Sequence, residues 1–154
     1  MVIICFAGGI GENSIMTRKQ IIDKLKSGLY PDNIIYKVVE YLEEYNLIND
    51  KRYASMYIEY KGKTRSGRQI SQDLMIKGIS KDIISESFES TDYSDADSLK
   101  KIIDKRAKRY NLDDRKDLQK LYQYLMGKGY KYSDIKNELS EYFEHLESQF
   151  DDEI

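Results

Sequence analysis

The sequence predicts an all-α protein of tandem three-helix repeats forming an elongated, curved array. Three observations lead there. Apolar residues recur at the i, i+3, i+4 spacing of a buried helix face through most of the chain. The composition, 34% charged and 40% hydrophobic with one proline and no tryptophan, suits solvated helices better than a turn-rich β fold. One pattern also returns three times: D-K-L-K-S-G-L-Y-P-D-N-I-I from Asp23, Q-D-L-M-I-K-G-I-S-K-D-I-I from Gln72 and Q-Y-L-M-G-K-G-Y-K-Y-S-D-I from Gln123. Each has a helix-ending leucine, a glycine, an apolar or aromatic residue, a polar cap and a new isoleucine. Leu25, Leu74 and Leu125 are 49 and 51 residues apart, a period that fits three helices per unit and units that stack on their neighbours.

Residues 1–16 form an atypical N-terminal segment. Met1 to Phe6 is a short apolar run, and Ala7-Gly8-Gly9-Ile10-Gly11-Glu12 has a superficial likeness to the glycine turn of a nucleotide-binding βαβ unit. No Lys-Ser or Lys-Thr follows to open a helix under a phosphate, and nothing downstream reads as a parallel sheet. The apolar start is about half of the ~20 residues that span a bilayer and has no basic leader, so neither a membrane span nor a targeting segment is expected.

The first repeat, shorter than the other two, covers residues 17–46. Thr17-Arg18-Lys19-Gln20 has the form of a capping box, Ile21, Ile22 and Leu25 give a buried stripe, and Ser27-Gly28 ends the helix. Pro31 is tolerated in the first turn of the next helix, where Ile34, Ile35, Val38, Val39 and Leu42 continue to about Tyr45. The second repeat, residues 47–90, opens on the Asn49-Asp50 cap and the stripe Tyr53, Ala54, Tyr57, Ile58. After Lys61 to Gly67, Ile70 and Leu74 restart the helical period, which stops at Gly78; Ser80 then caps a helix lined by Ile83, Ile84, Ser87 and Phe88. Residues 91–98 are polar and acidic and read as a linker. In the third repeat, residues 99–150, the stripe Leu99, Ile102, Ile103, Ala107, Tyr110 makes one helix. Asp113-Asp114 caps the next, lined by Leu118, Leu121, Tyr122 and Leu125, and Gly129 ends it. Ser133-Asp134 is expected to start the last helix, with Ile135, Leu139, Tyr142, Phe143, Leu146 and Phe150 on one side, before the acidic tail 151–154.

The net charge of −2 hides a segregated pattern: −2 over residues 1–50, +5 over 51–80, −5 over 81–99, +7 over 100–136 and −7 over 137–154. Basic blocks alternating with acidic ones mark either a polyanion-binding face with acidic flanks or helices that simply expose mixed charge. The densest cationic cluster is Lys61, Lys63, Arg65, Arg68 and Lys77, opposed by Glu59 and Asp73 alone.

Catalytic chemistry has few candidates. His145 is the single histidine and Cys5 the single cysteine, so a histidine triad or a zinc cluster is not expected, nor any cofactor. A lone thiol fits a reducing, cytoplasmic setting. Asp113-Asp114 and Asp151-Asp152-Glu153 read as cap and tail charge and not as a magnesium site. The fourteen tyrosines interleave with lysines, as in proteins that stack bases on rings, yet most fall on the expected core stripe, so packing is the favoured role.

The string Leu42-Glu-Glu-Tyr-Asn-Leu-Ile-Asn-Asp-Lys-Arg-Tyr-Ala54, followed by a basic joint, Gly67, Ile70, Leu74, Lys77-Gly78-Ile79 and Ile83, resembles the core signature of the bacterial regulatory protein RecX family, modulators of the RecA recombinase. The likeness spans about Thr17 to Tyr142, and Leu125-Met-Gly-Lys-Gly129-Tyr130-Lys-Tyr-Ser-Asp-Ile135 is similar to the family's C-terminal repeat. Two features depart from it. Gly8, Gly9 and Gly11 stand where the family places an additional helix, and the first repeat's turn reads Gly28-Leu29-Tyr30, with glycine one place early.

The resemblance implies a monomeric, non-enzymatic regulator that binds in the groove of the RecA–DNA filament and represses ATP hydrolysis and strand exchange. Lys61, Lys63, Arg65, Arg68 and Lys77 would carry the central contact, with Lys101, Lys105, Lys108 and Arg109 secondary, against acidic filament surfaces or DNA phosphate. The competing readings are a general nucleic-acid-binding helical module without a recombinase partner and a protein-only scaffold, with an enzyme last.

Overall fold

The structure is a computed structural model that describes residues 16–140. Within them the chain forms eight α-helices: α1 (Arg18–Ser27), α2 (Asp32–Glu44), α3 (Asp50–Lys61), α4 (Gly67–Ile76), α5 (Lys81–Glu89), α6 (Asp95–Ala107), α7 (Arg115–Gly127) and α8 (Tyr132–Glu138). The apolar N-terminal run, Cys5, Gly8, Gly9, Gly11, His145, the expected extension of the last helix from Tyr142 to Phe150 and the acidic tail lie outside the described residues.

The all-α expectation holds, and the repeat shows as three separate cores. Ile21, Leu25, Ile35, Val39 and Ile48 form the first. Ala54, Ile58, Ile70, Leu74, Ile79 and Ile84 form the second. The third gathers Leu99, Ile102, Ile103, Leu118, Leu121, Leu125, Tyr130, Ile135 and Leu139. In the second and third units every helix packs on the other two, with α3 on α5 the most extensive pairing, while the first unit shows α1 on α2. A chain with one core per unit draws its stability from the units and from the interfaces between neighbours.

The capping chemistry explains where most helices start. Thr17 accepts from the Gln20 amide while the Gln20 side chain accepts from the Thr17 amide, the reciprocal box expected from sequence. Asn49, Ser66 and Ser80 cap α3, α4 and α5 through the amides of Arg52, Gln69 and Ile83. Two starts differ from expectation. Ser94 caps α6 through the Asp97 amide, so Asp95 to Ser98 form the first turn of that helix, with two carboxylates at its positive end. α8 begins at Tyr132 after Lys131, whose side chain makes no cap, and Ser133-Asp134 therefore lies inside the helix.

The equivalent helices α1, α4 and α7 end in one turn. Tyr30, Ile79 and Tyr130 donate their amides back to the carbonyls of Leu25, Leu74 and Leu125 at 3.3, 3.1 and 3.4 Å. That closure needs a left-handed residue just before the donor, and Gly78 (φ +85°), Gly129 (φ +86°) and Leu29 (φ 60°) occupy the position. Leu29 is the departure noted in sequence, and it holds with its side chain 91% exposed a conformation that glycine reaches without steric cost.

Neighbouring units are joined by the same latch twice. At the first joint the buried Thr17 hydroxyl donates to the carbonyl of Lys77 at 2.7 Å, and the Arg18 amide donates to Asp50 at 2.8 Å. At the second, the Ser66 amide donates to the carbonyl of Lys128 at 3.2 Å, and the Gly67 amide donates to Asp95 at 2.7 Å. In each case the start of α1 or α4 sits on the end of the equivalent helix of the next unit, α4 or α7, and a carboxylate opening α3 or α6 takes an otherwise orphaned amide. The left-handed glycines lie under this contact: a Cβ on Gly129 would stand 2.5 Å from the Ser66 Oγ, and one on Gly78 would collide with the Lys19 stem.

The expectation that the tyrosines pack holds for about half of those among the described residues. Among the described residues Tyr130 alone is buried, whereas Tyr30, Tyr36, Tyr41, Tyr45, Tyr60 and Tyr132 are exposed. Aliphatic side chains fill the centre of each stripe, and Tyr53, Tyr57, Tyr93, Tyr110, Tyr122 and Tyr124 pack partly buried at its edges. Some meet each other there, Tyr41 with Tyr45 at 4.5 Å and Tyr53 with Tyr57 at 6.0 Å between ring centroids.

Candidate binding interface

The basic stretch Lys61 to Arg68 becomes the end of α3, a tight loop and the start of α4, and its shape is set by the third unit. The Tyr93 ring lies against Gly62, where a Cβ would clash. Its hydroxyl lies 3.0 Å from the Arg65 carbonyl and 2.6 Å from the Asp95 carboxylate. Ser98 donates to the Gly62 carbonyl and lies 2.6 Å from the Tyr130 hydroxyl. Burial, helped by the hydrogen bond to Asp95, raises the Tyr93 hydroxyl far above its ordinary value, and burial also raises Tyr130. Both phenols are therefore neutral hydrogen-bonding groups at physiological pH.

The nine cations expected to bind do not all line one cleft. Arg65 is held by the Asp73 carboxylate, which also accepts from the Tyr57 hydroxyl at 3.1 Å, so its guanidinium fastens the loop to α4. Lys77, the cap of α4, offers its carbonyl to Thr17 and its ammonium to the Tyr57 ring at 5.6 Å. Lys61 lies 4.8 Å from the Tyr60 ring centroid. Arg68 and Lys108 are exposed on α4 and at the end of α6.

Lys63, Lys105 and Arg109 do converge. With Arg106, Thr64, Ile102 and Tyr124 they line a cleft of about 160 Å³ between the second and third units. Its lining holds four cations and no carboxylate. The Arg106 guanidinium lies 4.3 Å from the Tyr124 ring centroid and Lys128 5.4 Å from the same ring, an arrangement in which the ring face attracts both charges and fixes their positions. Sequence reasoning passed over Arg106. Ile102, Lys105 and Arg106 stand at i, i+3 and i+4 on α6 and Arg109 follows its end, whereas Lys101 and Lys108 do not line this cleft.

Lys101 belongs to a second cleft, of about 370 Å³, on the other side of Lys63. Glu59, Asp92 and Asp97 line it with Lys63, Lys101 and the hydroxyls of Ser90, Thr91, Tyr93, Ser94 and Ser98. The ion pairs among the described residues include Arg18–Glu43, Lys19–Asp23, Lys51–Glu86, Arg65–Asp73 and Asp117–Lys120, and neither the three carboxylates of this cleft nor the four cations of the other enter an ion pair among the described residues. The Asp117 carboxyl is lowered and the Lys120 ammonium raised by their mutual hydrogen bond. Among the described residues no group of histidine, cysteine and carboxylate side chains could hold a metal ion, and no helix is long and apolar enough to cross a membrane. What the joint offers is a charge pattern: a concave cationic site beside an acid-bearing one, with Lys63 shared.

Comparison with known proteins agrees with this architecture. Residues 49–87 match the profile described as RecX, second three-helix domain, and residues 93–138 that described as RecX, third three-helix domain. The chain is 38% identical over 133 residues to the regulatory protein RecX of Clostridium tetani (strain Massachusetts / E88), covering 84% of this chain and 62% of that protein. It is 34% identical over 134 residues to the RecX of Clostridium botulinum (strain Eklund 17B / Type B), covering 84% and 63%. The chain thus spans just over three-fifths of the length of these curated relatives. The crystal structure of RecX from Lactobacillus salivarius superposes with a TM-score of 0.66 at 29% identity, covering 87% of each chain. Two matched three-helix domains, joined here by one repeated latch, settle the assignment: the chain belongs to the RecX family of regulatory proteins.

Proposed function

We propose that this chain binds the RecA nucleoprotein filament in the cytoplasm, as a monomer, and represses its ATP hydrolysis and strand exchange without catalysing a reaction itself. One observation carries the reading: a RecX-type frame brings Lys63 of the second unit to Lys105, Arg106 and Arg109 of the third across one carboxylate-free cleft. Like charges gather in this way against a repulsion of roughly 1 kcal/mol per close pair in water, a cost that a bound anionic partner removes. Lys61, Arg68, Lys77 and Lys108 would then act as outlying contacts, and Arg65 as the fastener of the loop.

The test is a recombinase ATPase assay with and without the chain, alongside titration of the pure protein against DNA, RecA and the RecA–DNA filament at two salt concentrations. Repression of the ATPase, with filament affinity above that for bare DNA and falling with salt, is the expected result. Equal binding to bare DNA and filament, with no repression, would instead give the general nucleic-acid-binding module. In the same assay the double change Lys105→Ala and Arg109→Ala is expected to weaken filament binding about tenfold or more, on the scale of two charge-assisted contacts.

A further inference from the structure

We infer that the joint between the second and third units receives a protein surface bearing neighbouring acidic and basic side chains, and not the uniformly anionic face of a nucleic acid. The inference rests on the filament as partner and says which component of it this joint reads. The cationic cleft does not stand alone. Lys63 lines it and also lines the larger cleft, where three carboxylates, Glu59, Asp92 and Asp97, stand against Lys63 and Lys101. Those carboxylates enter none of the ion pairs among the described residues and all three are exposed, Asp97 from the first turn of α6, so they are open to a partner.

A nucleic-acid backbone carries like charges at close intervals along its whole length. One laid across the joint would gain from the first cleft and be repelled by the second. A protein surface with an acidic side chain next to a basic one satisfies both clefts at once, and the wrong register brings like charges together. Ser90 and Thr91 in the acid-bearing cleft donate their hydroxyls to the carbonyls of Ser87 and Phe88, so toward a partner their oxygens can act only as acceptors, which suits a basic side chain. The clamp of Tyr93, Asp95, Ser98 and Tyr130 fixes the two clefts relative to each other, so the alternation of charge is a fixed pattern.

The experiment removes the acids and leaves every cation in place. The triple variant Glu59→Gln, Asp92→Asn, Asp97→Asn is compared with the wild type for binding to the RecA–DNA filament and to the same DNA without RecA, at one salt concentration. The expected result has opposite signs: filament binding weakens about tenfold, the scale of three exposed charge pairs, while binding to bare DNA stays equal or tightens. Filament binding that is unchanged, or that tightens in parallel with bare DNA, overturns the inference and makes the joint a nucleic-acid seat. Helix content by circular dichroism accompanies both measurements; if the triple variant loses it, the double variant Glu59→Gln, Asp92→Asn, which leaves the first turn of α6 intact, is read for the same signs. A wild-type chain with no preference for filament over bare DNA fails the proposed function and the inference with it, whereas a preference undiminished in the variant fails the inference alone.

Discussion

The change Gly129→Ala tests whether the latch between units contributes to stability. Gly129 sits at φ +86°, and an added Cβ would stand 2.5 Å from the Ser66 Oγ and 3.2 Å from the Gln69 Cβ. Three effects add. An L-residue in the left-handed region is strained by roughly 1–2 kcal/mol, and the lower entropy of the unfolded alanine chain returns about 0.4–1 of it. Displacing Ser66 also loosens the cap it makes on the Gln69 amide, worth about 1 kcal/mol, and the bond from its own amide to Lys128. The expected loss is about 2 kcal/mol, which lowers a urea midpoint by about 1 M for a slope near 2 kcal/mol/M. The assay is urea unfolding followed by far-ultraviolet circular dichroism. Because the joint links separate cores, the transition should also broaden or split as the third unit decouples from the second. The control is Gly127→Ala, two residues away, whose Cβ meets nothing within 4 Å and which should gain about 0.5–1 kcal/mol. If both changes move the midpoint in the same direction, the latch is not a stabilising joint.

Three further outcomes follow from the same geometry. Leu29→Gly should stabilise the chain by about 0.5–1 kcal/mol, the left-handed strain removed less the entropy that glycine adds to the unfolded state, read as a raised urea midpoint. Arg65→Ala should cost about 1–2 kcal/mol, between an exposed and a buried ion pair, because it strands Asp73, whereas Arg68→Ala should leave the midpoint within 0.5 kcal/mol. Burial first, then the hydrogen bond to Asp73, pushes the Tyr57 hydroxyl up to about 12. Folding thus favours the neutral phenol: its contribution is fully present below the unfolded value near 10 and is lost as pH rises from about 10 toward 12. Stability measured across that window should fall less steeply in Tyr57→Phe than in the wild type.

The helices were readable because their signals are local. A capping box needs two residues three apart, and Thr17 with Gln20 supplied both; Leu25, Leu74 and Leu125 showed the period because each ends the same helix of its unit. The start of α6 was misplaced because Asp95 and Asp97 read as linker acid, when in fact they sit where a helix N-terminus favours negative charge. The start of α8 was misplaced for the converse reason, since Ser133-Asp134 has the composition of a cap without its geometry.

The candidate site was half legible. Charge counting found Lys63, Lys105 and Arg109 but grouped them with cations that lie elsewhere, because nearness in sequence says nothing about which face of a helix a side chain takes. It set Asp73 against the whole basic block, whereas the structure commits that carboxylate to Arg65. The pairing of Lys63 with the α6 face depends on the packing of two units, with Tyr93 and Ser98 reaching back to the 62–67 loop. No spacing rule within one unit encodes that contact.

The end-on meeting of α1, α4 and α7 gives the array a direction. At each joint the carbonyl end of one helix, with its partial negative charge, touches the amide end of another, with its partial positive charge. The contacts run from α7 to α4 to α1, so the two ends left over are unlike: the amide end of α7 at Asp114 and the carbonyl end of α1 at Gly28. A surface built this way has a head and a tail. Laid on a partner that is itself polar along its axis, it can be correctly seated in one orientation, and turned end for end it would present each cleft to the wrong neighbour.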